Sequence, residues 1–170
     1  MARFRGSGTS YNGFSENFLG DGKIFGTARQ RWQRNRIAQQ RGDDDPILAI
    51  LRAQLNVATI TSRKTTGVGF FTDFGVPNSV ERTEPSGFVI GDVYANFREL
   101  INEVGFLLFI KNGTLSFLEG FACAEEWPSE PCLVEAHYVH HEPADSPMLR
   151  RCTVRDFKQL RANWNGAQAD

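Results

Sequence analysis

The 170-residue sequence predicts an α+β fold: an antiparallel sheet of about five strands around a central Asn-Gly hairpin, with one or two helices packed against it. Three observations predict it. Residues 105–120 are two β-rich runs joined by Asn112-Gly113, the pair that best tolerates the positive φ angles of a type I′ turn. Residues 46–56 repeat large apolar side chains at helical spacing. Residues 57–74, 88–97 and 133–141 alternate at strand spacing.

The first helix is announced by Asp43-Asp44-Asp45-Pro46, with Asp45 as N-cap and Pro46 at the first helical position. It turns Ile47, Leu48, Ile50, Leu51 and Leu55 inward and is expected to hold Arg52 and Gln54 towards water. Residues 57–64 and 66–74 are β-branched and alternating, and read as two strands or one broken strand, with Val68, Phe70, Thr72 and Phe74 on one face and Phe71 on the other. Residues 76–87 have loop composition, and residues 88–97 return to alternation. An unbroken hairpin register would set Lys111 opposite Thr114, Ile110 opposite Leu115, Phe109 opposite Ser116, Leu108 opposite Phe117 and Phe106 opposite Glu119. Both hairpin faces are apolar, which puts it mid-sheet. Residues 133–141 form a further strand, and Val154, Phe157, Leu160 and Trp164 predict a short C-terminal helix over 152–164 that stops at Asn165-Gly166.

The net charge of −1 conceals an asymmetry: residues 1–42 carry eight Lys/Arg and two Asp/Glu, residues 43–149 six and sixteen, and residues 150–170 five and two. The chain therefore divides into a flexible basic arm over 1–42 with a short helix near 27–40, an acidic α+β domain over 43–149, and a basic C-terminal helix or tail over 150–170. Three cysteines, no run approaching eighteen apolar residues and no apolar N-terminal stretch predict a cytoplasmic protein without a disulfide framework and without a membrane partner.

Four groups of residues are candidates for chemistry. Cys123, Cys132, His137 and His140 are ligand types that suit zinc, but the spacing C-x8-C-x4-H-x2-H matches no standard zinc module, and a strand puts His137 and His140 on opposite faces. No metal and no cofactor are expected. Glu135 and His137 share a strand face about 7 Å apart, a weak acid–base pair. Glu119 stands on an apolar face, where a carboxylate must pair, protonate or reach water, with Arg52, Arg63, Lys64 and Arg98 as candidate partners. Binding candidates are Arg29, Arg31, Arg34 and Arg36 with Trp32, which offer phosphate contacts and a stacking platform, and Glu125, Glu126 and Trp127 of the acidic centre. There is no GxSxG, no Walker loop and no GxGxxG before a helix.

The stretches Thr66-Gly-Val-Gly-Phe-Phe-Thr-Asp-Phe74, Gly105-Phe-Leu-Leu-Phe-Ile-Lys-Asn-Gly113, Leu118-Glu-Gly-Phe121 and Glu126-Trp-Pro128 resemble a widespread group of small bacterial proteins. That group shares the pattern TGVGFFT, GFxLFxxDG, LEGxxxxxxWP. The resemblance covers roughly residues 46–139, with Asn112 where Asp is usual, a swap that a type I′ turn tolerates. It implies no reaction and carries over no catalytic residue.

The leading reading is a non-enzymatic binding or interaction protein, its acidic domain engaging a protein partner, a basic toxin-like one as an immunity protein would, or its own copy. Second is a small hydrolase or ligand-binding enzyme using Glu119 with a nearby histidine. Third is nucleic-acid binding through the arginine-rich arm.

Overall fold

The computed structural model describes residues 45–141 and 147–166, all within the unit spanning Arg41–Asp170. Helix α1 (Pro46–Val57) opens as its sequence dictates: the Asp45 carboxylate accepts from the Ile47 and Leu48 amides at 2.9 and 3.3 Å. Its buried stripe is Leu48, Leu51 and Gln54. The burial of Gln54, 1% exposed, corrects the expectation that this side chain faces water. Its amide donates to the carbonyls of Glu81 (2.7 Å) and Gly113 (2.8 Å) and accepts from the Leu115 amide (2.9 Å). Three backbone groups of the hairpin turn and its neighbouring loop thus meet one side chain with both donor and acceptor, the Gly113 carbonyl sharing its oxygen with the Thr83 amide.

Seven strands follow: β1 (Thr59–Thr66), β2 (Gly69–Gly75), β3 (Phe88–Phe97), β4 (Val104–Lys111), β5 (Thr114–Ala122), β6 (Leu133–His141) and β7 (Leu149–Cys152). They form one antiparallel sheet in the order β1-β2-β5-β4-β3-β6-β7, and α2 (Phe157–Gly166) ends the described chain. The α+β class and the Asn-Gly hairpin stand; the strand count is seven among the described residues rather than about five. One extra strand comes from the turn at Gly67, which separates β1 from β2. The other, β7, lies in a stretch assigned to the C-terminal tail. With four residues, two of them arginines, Leu149–Cys152 shows no alternation, and pairing with β6 makes it a strand. The helix starts later than expected, at Phe157, where the Asp156 carboxylate accepts from the Gln159 amide (3.0 Å).

The hairpin register departs from the simple reading. Lys111–Thr114 and Ile110–Leu115 pair as expected, but a bulge then shifts the ladder to Phe109–Phe117, Leu108–Leu118, Leu107–Glu119 and Phe106–Gly120. One extra residue moves Phe117 and Glu119 to the opposite face from Leu115. The unbulged register would have put the Glu119 carboxylate opposite Phe106 in the core, at a desolvation cost of several kcal/mol. Gly120 takes that place instead: a β-carbon there would stand 2.6 Å from the Phe70 ring and 3.0 Å from the Phe106 ring. A second bulge, between Ile90 and Val93, contains Asp92, which Arg155 grips through Nε (2.7 Å) and a terminal nitrogen (2.9 Å). The Arg155 guanidinium also lies over the Tyr138 ring (4.6 Å).

The two faces of the sheet are unequal. One carries Phe88, Ile90, Val93, Ala95, Val104, Phe106, Leu108, Ile110, Leu115 and Leu118, all buried. Helix α2 lays Trp164 on Phe88 (ring centroids 4.5 Å apart) and is tied to the start of α1 by Arg161, whose Nε donates to Asp45 (2.8 Å). Trp127 closes another part of this face, packed edge-on against Phe70 (5.1 Å) and Phe97 (5.4 Å).

The hairpin turn is where these parts meet. Gly113 (φ 71°) accepts from the Thr83 amide (3.0 Å) and donates to the Ser86 carbonyl (2.6 Å), and a β-carbon on it would stand 2.8 Å from Arg82 Cβ and 2.9 Å from the Thr83 carbonyl oxygen. Replacing Gly113 by Val adds a disfavoured φ to that clash and should cost about 2–4 kcal/mol of unfolding free energy in denaturant titration.

Candidate functional site

The second sheet face is built from three cross-strand rows. One is Lys64, Phe71, Glu119 and Leu107; the next is Ser62, Asp73, Phe117, Phe109 and Val89; the third is Gly69, Phe121, Gly105, Tyr94 and His137. Phe71, Val89, Tyr94, Leu107, Phe109, Phe117 and Phe121 are half-buried, whereas the apolar residues that β3, β4 and β5 turn to the helix face are buried. Phe109 and Phe117 stack at 4.1 Å with an interplanar angle of 13°, Phe71 leans towards Phe117 at 6.3 Å, and the Lys111 ammonium sits 5.2 Å above the Phe117 ring. Among the described residues no second layer covers this face.

Glu119 stands at its centre, half-buried, with Phe71 and Leu107 across the ladder and Phe117 and Phe121 two residues away on its own strand. None of its four anticipated partners reaches it. Arg63 turns to the helix face, donating to the Thr72 hydroxyl (2.9 Å). The Arg52 Nε donates to the Leu48 carbonyl (3.3 Å), and Arg98 follows the end of β3. Lys64 shares the face, but two strand spacings, about 10 Å, separate it from Glu119. Among the described residues the Glu119 carboxylate makes no hydrogen bond or ion pair, its backbone being paired in the ladder.

A polar cluster occupies the other end of the face. Glu103 takes an ion pair from Arg151, and Arg151 also reaches Glu135 (3.5 Å). With its amide turned so that both ends find a partner, Asn96 bridges them, its nitrogen 3.2 Å from Glu103 and its oxygen 3.1 Å from Arg151. His137, its side chain 4% exposed, has Nε2 3.4 Å from Glu103, yet neither ring nitrogen makes a well-aligned hydrogen bond. Burial pushes its pKa below the ordinary 6.5; Glu103 and Glu135 oppose that shift and Arg151 adds to it. Burial, with the nearby Cys123 and Glu103, raises the Tyr94 phenol.

Glu119 and His137 share a face but are not brought together, since β4 and β3 separate their strands by about 14 Å. Glu135 and His137 flank the Arg151 cluster rather than an open cleft. His140 lies on the opposite side of β6 from His137, the Cys132 amide donates to Glu99 (2.8 Å), and Cys123 is exposed after β5. Among the described residues no three His, Cys, Asp or Glu side chains are placed to hold a metal ion. The Glu125 carboxylate accepts from the Ile101 amide (2.8 Å) and the Asn102 amide (2.7 Å), which hold it below the usual carboxylate range. Glu126 is exposed, and Trp127 is a packing residue on the helix face. Arg29, Arg31, Trp32, Arg34 and Arg36 lie outside the described residues, as does the expected helix near 27–40. Sequence reasoning missed Glu103, Arg151 and Asn96, which come together only through strand pairing.

No described helix is long and apolar enough to cross a membrane. Comparison with protein-family models, curated proteins and solved structures finds no match to the chain.

The lowered pKa of His137 makes a pH prediction. Its unfolded form binds more protons than its folded form, so the stability that the neutral ring contributes is complete above about pH 6.5 and is lost as the pH falls below that value. Urea titrations between pH 7 and pH 5 should show stability declining, and His137→Gln should flatten the slope in that window. An equal slope in the variant would assign the dependence to other groups.

Proposed function

We propose that this chain is a non-enzymatic binding protein whose acidic α+β domain engages a protein partner through the second face of its sheet. One observation carries the reading: a contiguous set of half-buried aromatic and aliphatic side chains, Phe71, Leu107, Phe109, Phe117 and Phe121, spans three adjacent strands without a covering layer among the described residues. Aromatic side chains lose little rotamer entropy on contact and dominate interface energetics. The excess of acidic over basic residues across 43–149 favours a basic partner, as an immunity-like role would need. The separation of Glu119 from His137 weighs against an enzyme that uses them as an acid–base pair. Nucleic-acid binding through Arg29, Arg31, Trp32, Arg34 and Arg36 ranks third and rests on residues outside those described.

Affinity capture from the native host with matched variants tests the reading. Phe71→Gln and Leu107→Gln should stay folded, because both sites are half-buried, and should weaken recovery of a partner held by the native chain about ten-fold or more. Undiminished recovery in both folded variants would move the interface elsewhere.

A further inference from the structure

A carboxylate in the middle of an aromatic surface is costly to cover unless whatever covers it supplies a counter-charge. Glu119 is such a group: Phe71, Phe117 and Phe121 surround it with Leu107, and it has no hydrogen-bond or ion-pair partner among the described residues. The register bulge after Ile110 is what turns it to this side. Leu107 leans over Gly91, where a β-carbon would stand 2.7 Å from the Leu107 methyl. Phe121 likewise lies over Gly105, its ring 2.4 Å from where a β-carbon would be. The face already receives one cation, the Lys111 ammonium above Phe117.

We infer that Glu119 is the anchoring site for an arginine side chain of a protein partner, the guanidinium donating to the carboxylate and stacking on the neighbouring phenyl rings. Guanidinium fits this chemistry better than ammonium, because its planar fork pairs with a carboxylate, its face stacks on aromatic rings, and it is the more weakly hydrated cation. The site gives the docking face its specificity: a basic partner neutralises Glu119, while an apolar one would bury it unpaired. This inference rests on the protein-docking reading and names the side chain that the docked partner must present.

The test uses the full-length chain labelled with nitrogen-15 and titrated with acetyl-Gly-Arg-Gly-amide, and in parallel with the same peptide carrying citrulline, which keeps the shape and loses the charge. The arginine peptide should shift the amides of Phe71, Leu107, Glu119 and Phe121. The citrulline peptide on the native chain, and the arginine peptide on Glu119→Gln, should each bind about ten-fold more weakly. Equal shifts from both peptides, shifts confined to another surface, or full binding by a folded Glu119→Gln would overturn the inference. The peptide contrast on the native chain decides even if the variant fails to fold. Partner loss in Phe71→Gln and Leu107→Gln combined with equal peptide shifts would leave the docking reading standing and remove only the arginine site.

Discussion

One buried amide holds the helical layer to the sheet. Gln54 is the last member of the inward stripe of α1, and its three hydrogen bonds end on three separate pieces of backbone: the loop at Glu81, the turn at Gly113 and the start of β5 at Leu115. A side chain that bonds three separate backbone groups at once, from a position itself 1% exposed, fixes where α1 can sit. Because Gly113 also bonds Thr83 and Ser86, the same contact fixes the path of the loop that leads into β3.

From that anchor follows the inequality of the two faces. α1 and α2 are tied to each other through Asp45 and Arg161, and α2 is tied to the sheet through Trp164 on Phe88. The bulge after Ile110 sends Leu118 into the core and Glu119 out of it, and the bulge at Asp92 supplies the carboxylate that holds the buried Arg155. Both irregularities place a charge where it can be solvated or paired. The opposite face keeps its aromatic character with Glu119 at its centre and the Glu103–Arg151–His137 cluster at its far end.

Much of this was legible in the sequence, for physical reasons tied to particular residues. Asp45-Pro46 specifies a helix start through the capping carboxylate and a fixed φ, and Asn112-Gly113 specifies the hairpin through positive φ; both act within a few residues. What was not legible depends on long-range pairing. Gln54 reads as a surface residue until its partners 27, 59 and 61 residues away are known. The bulge at Ser116 has no local signature, since Leu-Ser-Phe-Leu alternates equally well in either register; the close fit of Gly120 between Phe70 and Phe106 and the cost of burying Glu119 both favour the bulged one. Strand β7 exists because β6 offers an edge, and Glu103, Arg151 and Asn96 meet because β3, β6 and β7 are neighbours. The sequence marks Glu119 as a carboxylate among apolar residues, but its side of the sheet and its neighbours Leu107 and Phe71 follow from the bulge and the strand order.

The most direct measurement is native-state hydrogen exchange combined with denaturant unfolding of Gln54→Leu, which keeps an apolar volume in place and removes all three hydrogen bonds. The variant should lose about 3–5 kcal/mol, and the Leu115 and Thr83 amides should lose protection beyond that global loss, because the turn and its loop come free together. A loss under about 1 kcal/mol with protection at those two amides unchanged would contradict the role of Gln54 as the contact that locks the helical layer to the sheet.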